Sequence, residues 1–148
     1  MCRYCLLLLK GLAGCDYVKE PIIQCGAAPV IMSTIYRHKV RRSKNNIFYT
    51  LRCPNNAQHL VDAGAPDLLM TVMNMYKENP VILKNGCWAV RNITARSPEF
   101  RPKFINLGAE NFLNESRKKF PKELNYEAKI TLRDLGCDIE NEYPWPKK

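Results

Sequence analysis

Three stretches of this chain align without a gap. They are Ile22-Ile23-Gln24-Cys25-Gly26-Ala27-Ala28-Pro29-Val30-Ile31, Leu60-Val61-Asp62-Ala63-Gly64-Ala65-Pro66-Asp67-Leu68-Leu69, and Phe104-Ile105-Asn106-Leu107-Gly108-Ala109-Glu110-Asn111-Phe112-Leu113. Each reads apolar, apolar, polar, apolar, glycine, alanine, two variable residues, apolar, apolar. The glycines stand 38 and 44 residues apart, which sets a repeating unit of about 40 residues. A lone glycine says little; three copies of a ten-residue pattern are specific.

The pattern describes a bent helical module. A helix ends at the glycine, where left-handed backbone costs little. Alanine opens a second helix at a sharp angle, and its small side chain suits the crowded corner. The apolar pairs on either side of the glycine then face each other across the bend. Asp16, Asn55 or Asn56, and Ser97 stand where the short first helices need caps, and Ser97 is followed by Pro98 and Glu99 in the first turn. After the Gly64 corner, Leu68, Leu69, Val72, Met73 and Tyr76 recur at helical spacing. A third helix is expected from about Asn79-Pro80, carrying Val81, Ile82, Cys87, Ala89, Val90 and Ile93, and a last one over Tyr126 to Leu135, closed by Gly136. Asn85-Gly86 falls inside a helical pattern, where the glycine is a tolerable cost. Units of one helix type that cannot bury their own faces imply a stacked solenoid.

Short helix, Gly-Ala corner, second helix and a long third helix with Trp88-Ala89-Val90-Arg91-Asn92-Ile93 resemble the armadillo repeat family, over about Leu6 to Cys137. The resemblance implies an all-α, right-handed α-α superhelix of about two and a half to three repeats, expected to be a fragment of a longer array. Residues 1–137 are expected to hold the repeats: a partial unit at 1–15, then units at about 16–53, 54–96 and 97–137, with 138–148 as a tail. In this family the third helices line a concave face. In the import-receptor members, whose grooves select basic cargo, a Trp and an Asn four residues apart hold an extended peptide, the Asn amide on its backbone and the Trp ring as a wall for its side chains. Trp88 and Asn92 match that spacing, which puts both on one side of a helix. The plainer reading is that Trp88 packs against a neighbouring repeat and Asn92 braces its helix. Only this unit has the pair: the positions equivalent to Asn92 are Gly11, Thr50 and Asp134. The run Arg37 to Lys44 implies a weak third helix in the first complete unit.

The chain has 148 residues and a formal net charge of +9, a balance that favours acidic partners. Arg91 and Arg133 hold the same register on their third helices, as does Lys10, and a basic stripe beside Asn92 suits an acidic or phosphorylated extended segment. The expected function is therefore non-enzymatic: binding an extended, acidic peptide on the face lined by third helices, with Trp88, Asn92, Arg91, Thr50, Arg133 and Asp134 as candidate contacts. The alternative is a basic helical repeat that associates with nucleic acid, although Tyr49, Trp88 and Trp145 are too scattered for an obvious stacking platform.

No cofactor, metal, small-molecule substrate or membrane insertion is expected. The seven cysteines are odd in number and spread along apolar stretches, which points to reduced thiols, small buried hydrophobes, and a cytoplasmic or nuclear setting. Cys2 and Cys5 have metal-like spacing but no second pair to complete a zinc site. The apolar run Leu6 to Leu9 is cut by Lys10 and is too short to span a membrane. No glycine-rich phosphate loop, nucleophile elbow or zinc-protease helix is present. His38 and His59 have no evident catalytic partner, and Asp134 and Glu127 are expected to be surface or helix-end charges.

Overall fold

The computed structural model describes residues 17, 21, 24–27, 29, 30, 33, 54–95 and 97–139. Thr50, Asp16, Lys10, Gly11, the run Arg37 to Lys44 and Trp145 lie outside them. The described residues are helical with no strand. They form α1 (Pro54–Asp62), α2 (Ala65–Met75), α3 (Pro80–Thr94), a 3-10 turn (Pro98–Phe100), α4 (Arg101–Asn106), α5 (Ala109–Lys119) and α6 (Asn125–Leu135).

Two like units follow one another. Gly26, Gly64 and Gly108 take φ of 79°, 83° and 78°, the left-handed region that glycine enters without a Cβ penalty. The hydrogen bonding at the last two corners is the same. The Gly64 N–H donates to the Val61 carbonyl at 3.0 Å and the Gly108 N–H to Ile105 at 2.9 Å; each glycine carbonyl then accepts from the N–H four residues on, Leu68 at 3.2 Å and Phe112 at 3.1 Å. Ala65 and Ala109 are buried at the bend, as the expectation of a small residue there requires. Leu60, Val61, Phe104 and Leu113 are core, with Leu68, Leu69, Ile105 and Phe112 packed partly against it.

The helix starts depart from expectation in two places. Helix α1 begins at Pro54 rather than being capped by Asn55 or Asn56, both of which lie within its first turn; proline presets the φ that a first helical position needs. Ser97 makes no side-chain cap hydrogen bond. Its unit opens instead with the 3-10 turn, in which the Phe100 N–H donates to the Ser97 carbonyl at 3.1 Å. Pro102 has no N–H to continue an α ladder back to Pro98, so the first helix is split into a 3-10 turn and α4. The expected start at Asn79-Pro80 is observed: the Asn79 side chain accepts from the N–H groups of Val81 at 3.1 Å and Ile82 at 3.3 Å.

The stack is made by α3 against α6, the most extensive helix pairing in the described residues. Cys87, Ala89, Val90, Ile93, Ala128, Leu132 and Leu135 are all buried. Gly86 has a packing role that its sequence context conceals. A Cβ there would lie 2.5 Å from the Met73 Sδ and 2.7 Å from its Cγ, so the missing side chain is the seat of the Met73 thioether between α2 and α3. Met70 and Met73 are buried. Their counterparts on α5, aligned on the corner glycines, are Asn114 and Arg117, and the Arg117 Nε donates to Asn114 Oδ1 at 3.0 Å.

Candidate functional site

Helix α3 buries Leu83, Gly86, Cys87, Ala89, Val90, Ile93 and Thr94. Among the positions that are not buried, Val81, Lys84, Trp88, Arg91 and Asn92 fall on one stripe at helical spacing. Trp88 is 49% exposed. Asn92 lies one turn on and is partly buried. The corresponding outer stripe of α6 carries Tyr126, Lys129, Ile130 and Arg133; Tyr126 is 72% exposed.

Ion pairs join the two stripes on both sides of Trp88. One turn before it, Lys84 Nζ meets Glu127 Oε1 at 2.5 Å. One turn after it, Arg91 Nε meets Asp134 Oδ2 at 2.9 Å. Between them, the Thr131 hydroxyl donates to the Glu127 carbonyl at 2.6 Å and lies 3.4 Å from the Cys87 carbonyl. The order 84–127, 87–131, 91–134 rises along both helices, so α3 and α6 run parallel. Glu127 and Asp134 are thus not free surface charges. Glu127 is a buried residue and the Asp134 side chain is only 11% exposed. A single sequence shows a charge at a helix end but not the partner helix beside it, which is why this role was missed; the opposite charges 43 residues apart (Lys84 with Glu127, Arg91 with Asp134) are the signal that could have found it.

Asp134 also takes Arg133, from Nη2 at 3.0 Å and Nε at 3.2 Å on Oδ1. The structure therefore brings together five of the six sequence-derived candidates, Trp88, Arg91, Asn92, Arg133 and Asp134, on the joined faces of α3 and α6. A second charged region lies at the end of α5, where Arg117, Lys118 and Lys119 occupy its last turn. Lys119 pairs with Glu78 at 2.5 Å, and this contact holds the Glu78 carboxyl below its ordinary range.

Cys87 sits beneath the Trp88 stripe, fully buried. Burial pushes its thiol up to about 12, so it is a neutral packing group and not a nucleophile. Cys137 is raised by the same cause, aided by Glu110. Cys25, expected to be a buried hydrophobe, is exposed; it is the last residue before the Gly26 corner, where the helix turns into solvent. No group of three or more His, Cys, Asp or Glu side chains that could hold a metal occurs among the described residues. No helix there is long and apolar enough to cross a membrane.

Residues 53–95, which hold α1, the Gly64 corner, α2 and α3, match the family model of the Armadillo/beta-catenin-like repeat. The chain carries an armadillo-type repeat, and the Gly108 unit repeats its corner beyond the matched range. Comparison with curated proteins gives no match. Armadillo repeats are in general protein-interaction modules, and the α3–α6 face is where this chain offers exposed aromatic and charged groups on a rigid support.

Proposed function

We propose that the chain is a non-enzymatic interaction module that receives an extended, acidic peptide on the face shared by α3 and α6. The observation that carries this is Trp88: a large apolar side chain held half exposed on a helix whose inner face is fully packed, with an ion pair to the next unit on each side. Such pairs cross-link the helices and fix the surface in advance, so a ligand is not charged for ordering it. Asn92 supplies a side chain that donates and accepts, which suits a peptide unit. The face carries Lys84, Arg91, Lys129 and Arg133 with Glu127 and Asp134, and the chain's formal net charge of +9 favours an acidic partner. Within the armadillo family we infer a likeness to the C-terminal part of armadillo repeat-containing protein 6, carried by Gly86 to Ala95, Arg52 to Asn56 and Leu132 to Cys137. The unpaired state of Cys25, Cys87 and Cys137 supports a cytoplasmic or nuclear setting as part of the same proposal.

The test is a random peptide library panned in parallel on the wild type and on Trp88→Ala/Asn92→Ala. The proposal expects acidic sequences from the wild type and their loss from the double variant; the same sequences from both would end it. The cations at the end of α5 favour a second reading, association with nucleic acid. That reading expects binding to generic RNA that weakens steeply as salt rises and that survives Trp88→Ala.

A further inference from the structure

The two units end differently. Helix α3 meets α6 along one stripe, with Lys84 on Glu127, the Cys87 carbonyl beside the Thr131 hydroxyl and Arg91 on Asp134. With Asn92 aligned on Asp134, the places of Lys84, Cys87 and Arg91 are taken on α6 by Tyr126, Lys129 and Arg133. The middle one matters most. Cys87 is fully buried at the joint, whereas its counterpart is a partly buried lysine. A further helix seated on α6 as α6 is seated on α3 would close over that ammonium, and burying a charge is costly. It would also cover Tyr126, which is 72% exposed, and Arg133, whose side chain is 58% exposed.

The backbone departs at the same place. Helix α3 runs on through Ala95, at φ −68° and ψ −30°, toward the 3-10 turn that opens the next unit. Helix α6 stops one residue sooner in the alignment, at Gly136, with φ 83° and ψ 18°. The Gly136 N–H donates to the Arg133 carbonyl at 2.9 Å and the Cys137 N–H to the Leu132 carbonyl at 3.0 Å, a left-handed stop that turns the chain off the helix. The residues that follow fall back on their own unit. The Cys137 thiol bonds to the Glu110 side chain of α5, and Ile139 packs partly against the core.

We propose that the Gly108 unit is the end cap of the stack: the outer face of α6 is built to meet water and takes no further repeat in register. A stack of helical repeats needs a terminal unit whose outer face is polar. Here a lysine stands where the inner unit has a buried thiol, and the connecting backbone is turned aside. The stack can lengthen only on the α3 side of this pair. The cap depends on the outer stripe of α6 and the turn at Gly136, and it is independent of any peptide bound across Trp88.

The experiment uses the full chain with a second copy of residues 97–138 inserted after Asp138, which repeats the native spacing of 42 residues between Asn92 and Asp134. The inserted copy carries Tyr126→Phe, so that its peptides differ in mass, and amide hydrogen exchange is followed by mass spectrometry. In one tandem the parent copy is native. In the other its α6 takes the residues of α3, by Tyr126→Lys, Lys129→Cys, Gly136→Thr and Cys137→Ala. The expected result is an inserted α6 that is nearly unprotected on the native parent and exchanges about a hundredfold more slowly on the converted one. Lys129→Cys alone should recover part of this, about tenfold, and stands in if the full conversion does not fold. An inserted copy as well protected on the native α6 as on the converted one overturns the cap, because the face then accepts a repeat as it stands. So does an inserted copy left unprotected on both altered parents, because the stripe and the turn then do not decide stacking.

Discussion

Gly86→Ala separates local propensity from packing, because the two predict opposite signs. In an isolated helix, alanine in place of glycine stabilises by about 1 kcal/mol. In this structure the new methyl would stand 2.5 Å from Met73 Sδ, 2.7 Å from Cγ and 3.0 Å from Cε, all inside van der Waals contact. Met73 is 1% exposed, so its thioether has no open route away. Overpacking of this kind costs about 1–3 kcal/mol; after the propensity gain, the net loss is about 1 kcal/mol. Removing the obstruction reverses the sign. In a Met73→Ala background the same substitution recovers its propensity gain and fills part of the cavity, a gain of about 1–2 kcal/mol. The double-mutant cycle should therefore show a coupling of about 2–3 kcal/mol, measured by urea unfolding of the four proteins and read from midpoints at constant slope. A Gly86→Ala change that stabilises both backgrounds alike, within about 0.5 kcal/mol, would refute the role given to this glycine.

Other perturbations have equally definite outcomes. Gly64→Ala and Gly108→Ala meet nothing within 4 Å, so only the left-handed backbone is penalised; each should lose about 1–2 kcal/mol in urea unfolding, by similar amounts, because the corners are equivalent. Lys84→Met strands the buried Glu127 carboxylate and should cost about 1–3 kcal/mol, whereas Lys84→Met with Glu127→Leu should recover most of the loss. The Cys87 thiol stays protonated in the native state up to about pH 12, while the unfolded thiol ionises near 9.0. The stability tied to it is complete below pH 9 and falls as pH rises above that, by about 1.4 kcal/mol per unit. Cys87→Ala should flatten that part of the pH profile. In the native protein Cys25 should react with a thiol reagent at once, and Cys87 only on unfolding.

Much of the fold could be read from the sequence because the corner depends on local chemistry. A glycine at positive φ, an alanine at the bend and an apolar pair on each side are a short-range requirement, and the structure keeps all of them at Gly64 and Gly108. The third helix was legible for the same reason: Asn79-Pro80 is both a cap and a first-turn proline. What could not be read depends on neighbours distant along the chain. Gly86 passes for a tolerated defect until Met73 is placed over it. Met70 was not singled out, although with Pro66 and Met73 it forms the buried stripe of α2 at i, i+4 and i+7. Glu127 and Asp134 pass for surface acids until α3 is laid parallel to α6, and then each proves to be half of an ion pair between units. The candidate site divides in the same way: Trp88 and Asn92 were visible as a spacing on one helix, but the joining of Arg91 and Arg133 by Asp134 exists only across two.

The stacking of like units is tested most directly by the side-chain contacts between α3 and α6 in solution. In a nuclear Overhauser spectrum of the labelled chain, the account predicts cross-peaks in rising order along both helices: Lys84 with Glu127, Cys87 with Thr131, Arg91 with Asp134. Cross-peaks in falling order, or none between these two helices in the folded protein, would contradict it.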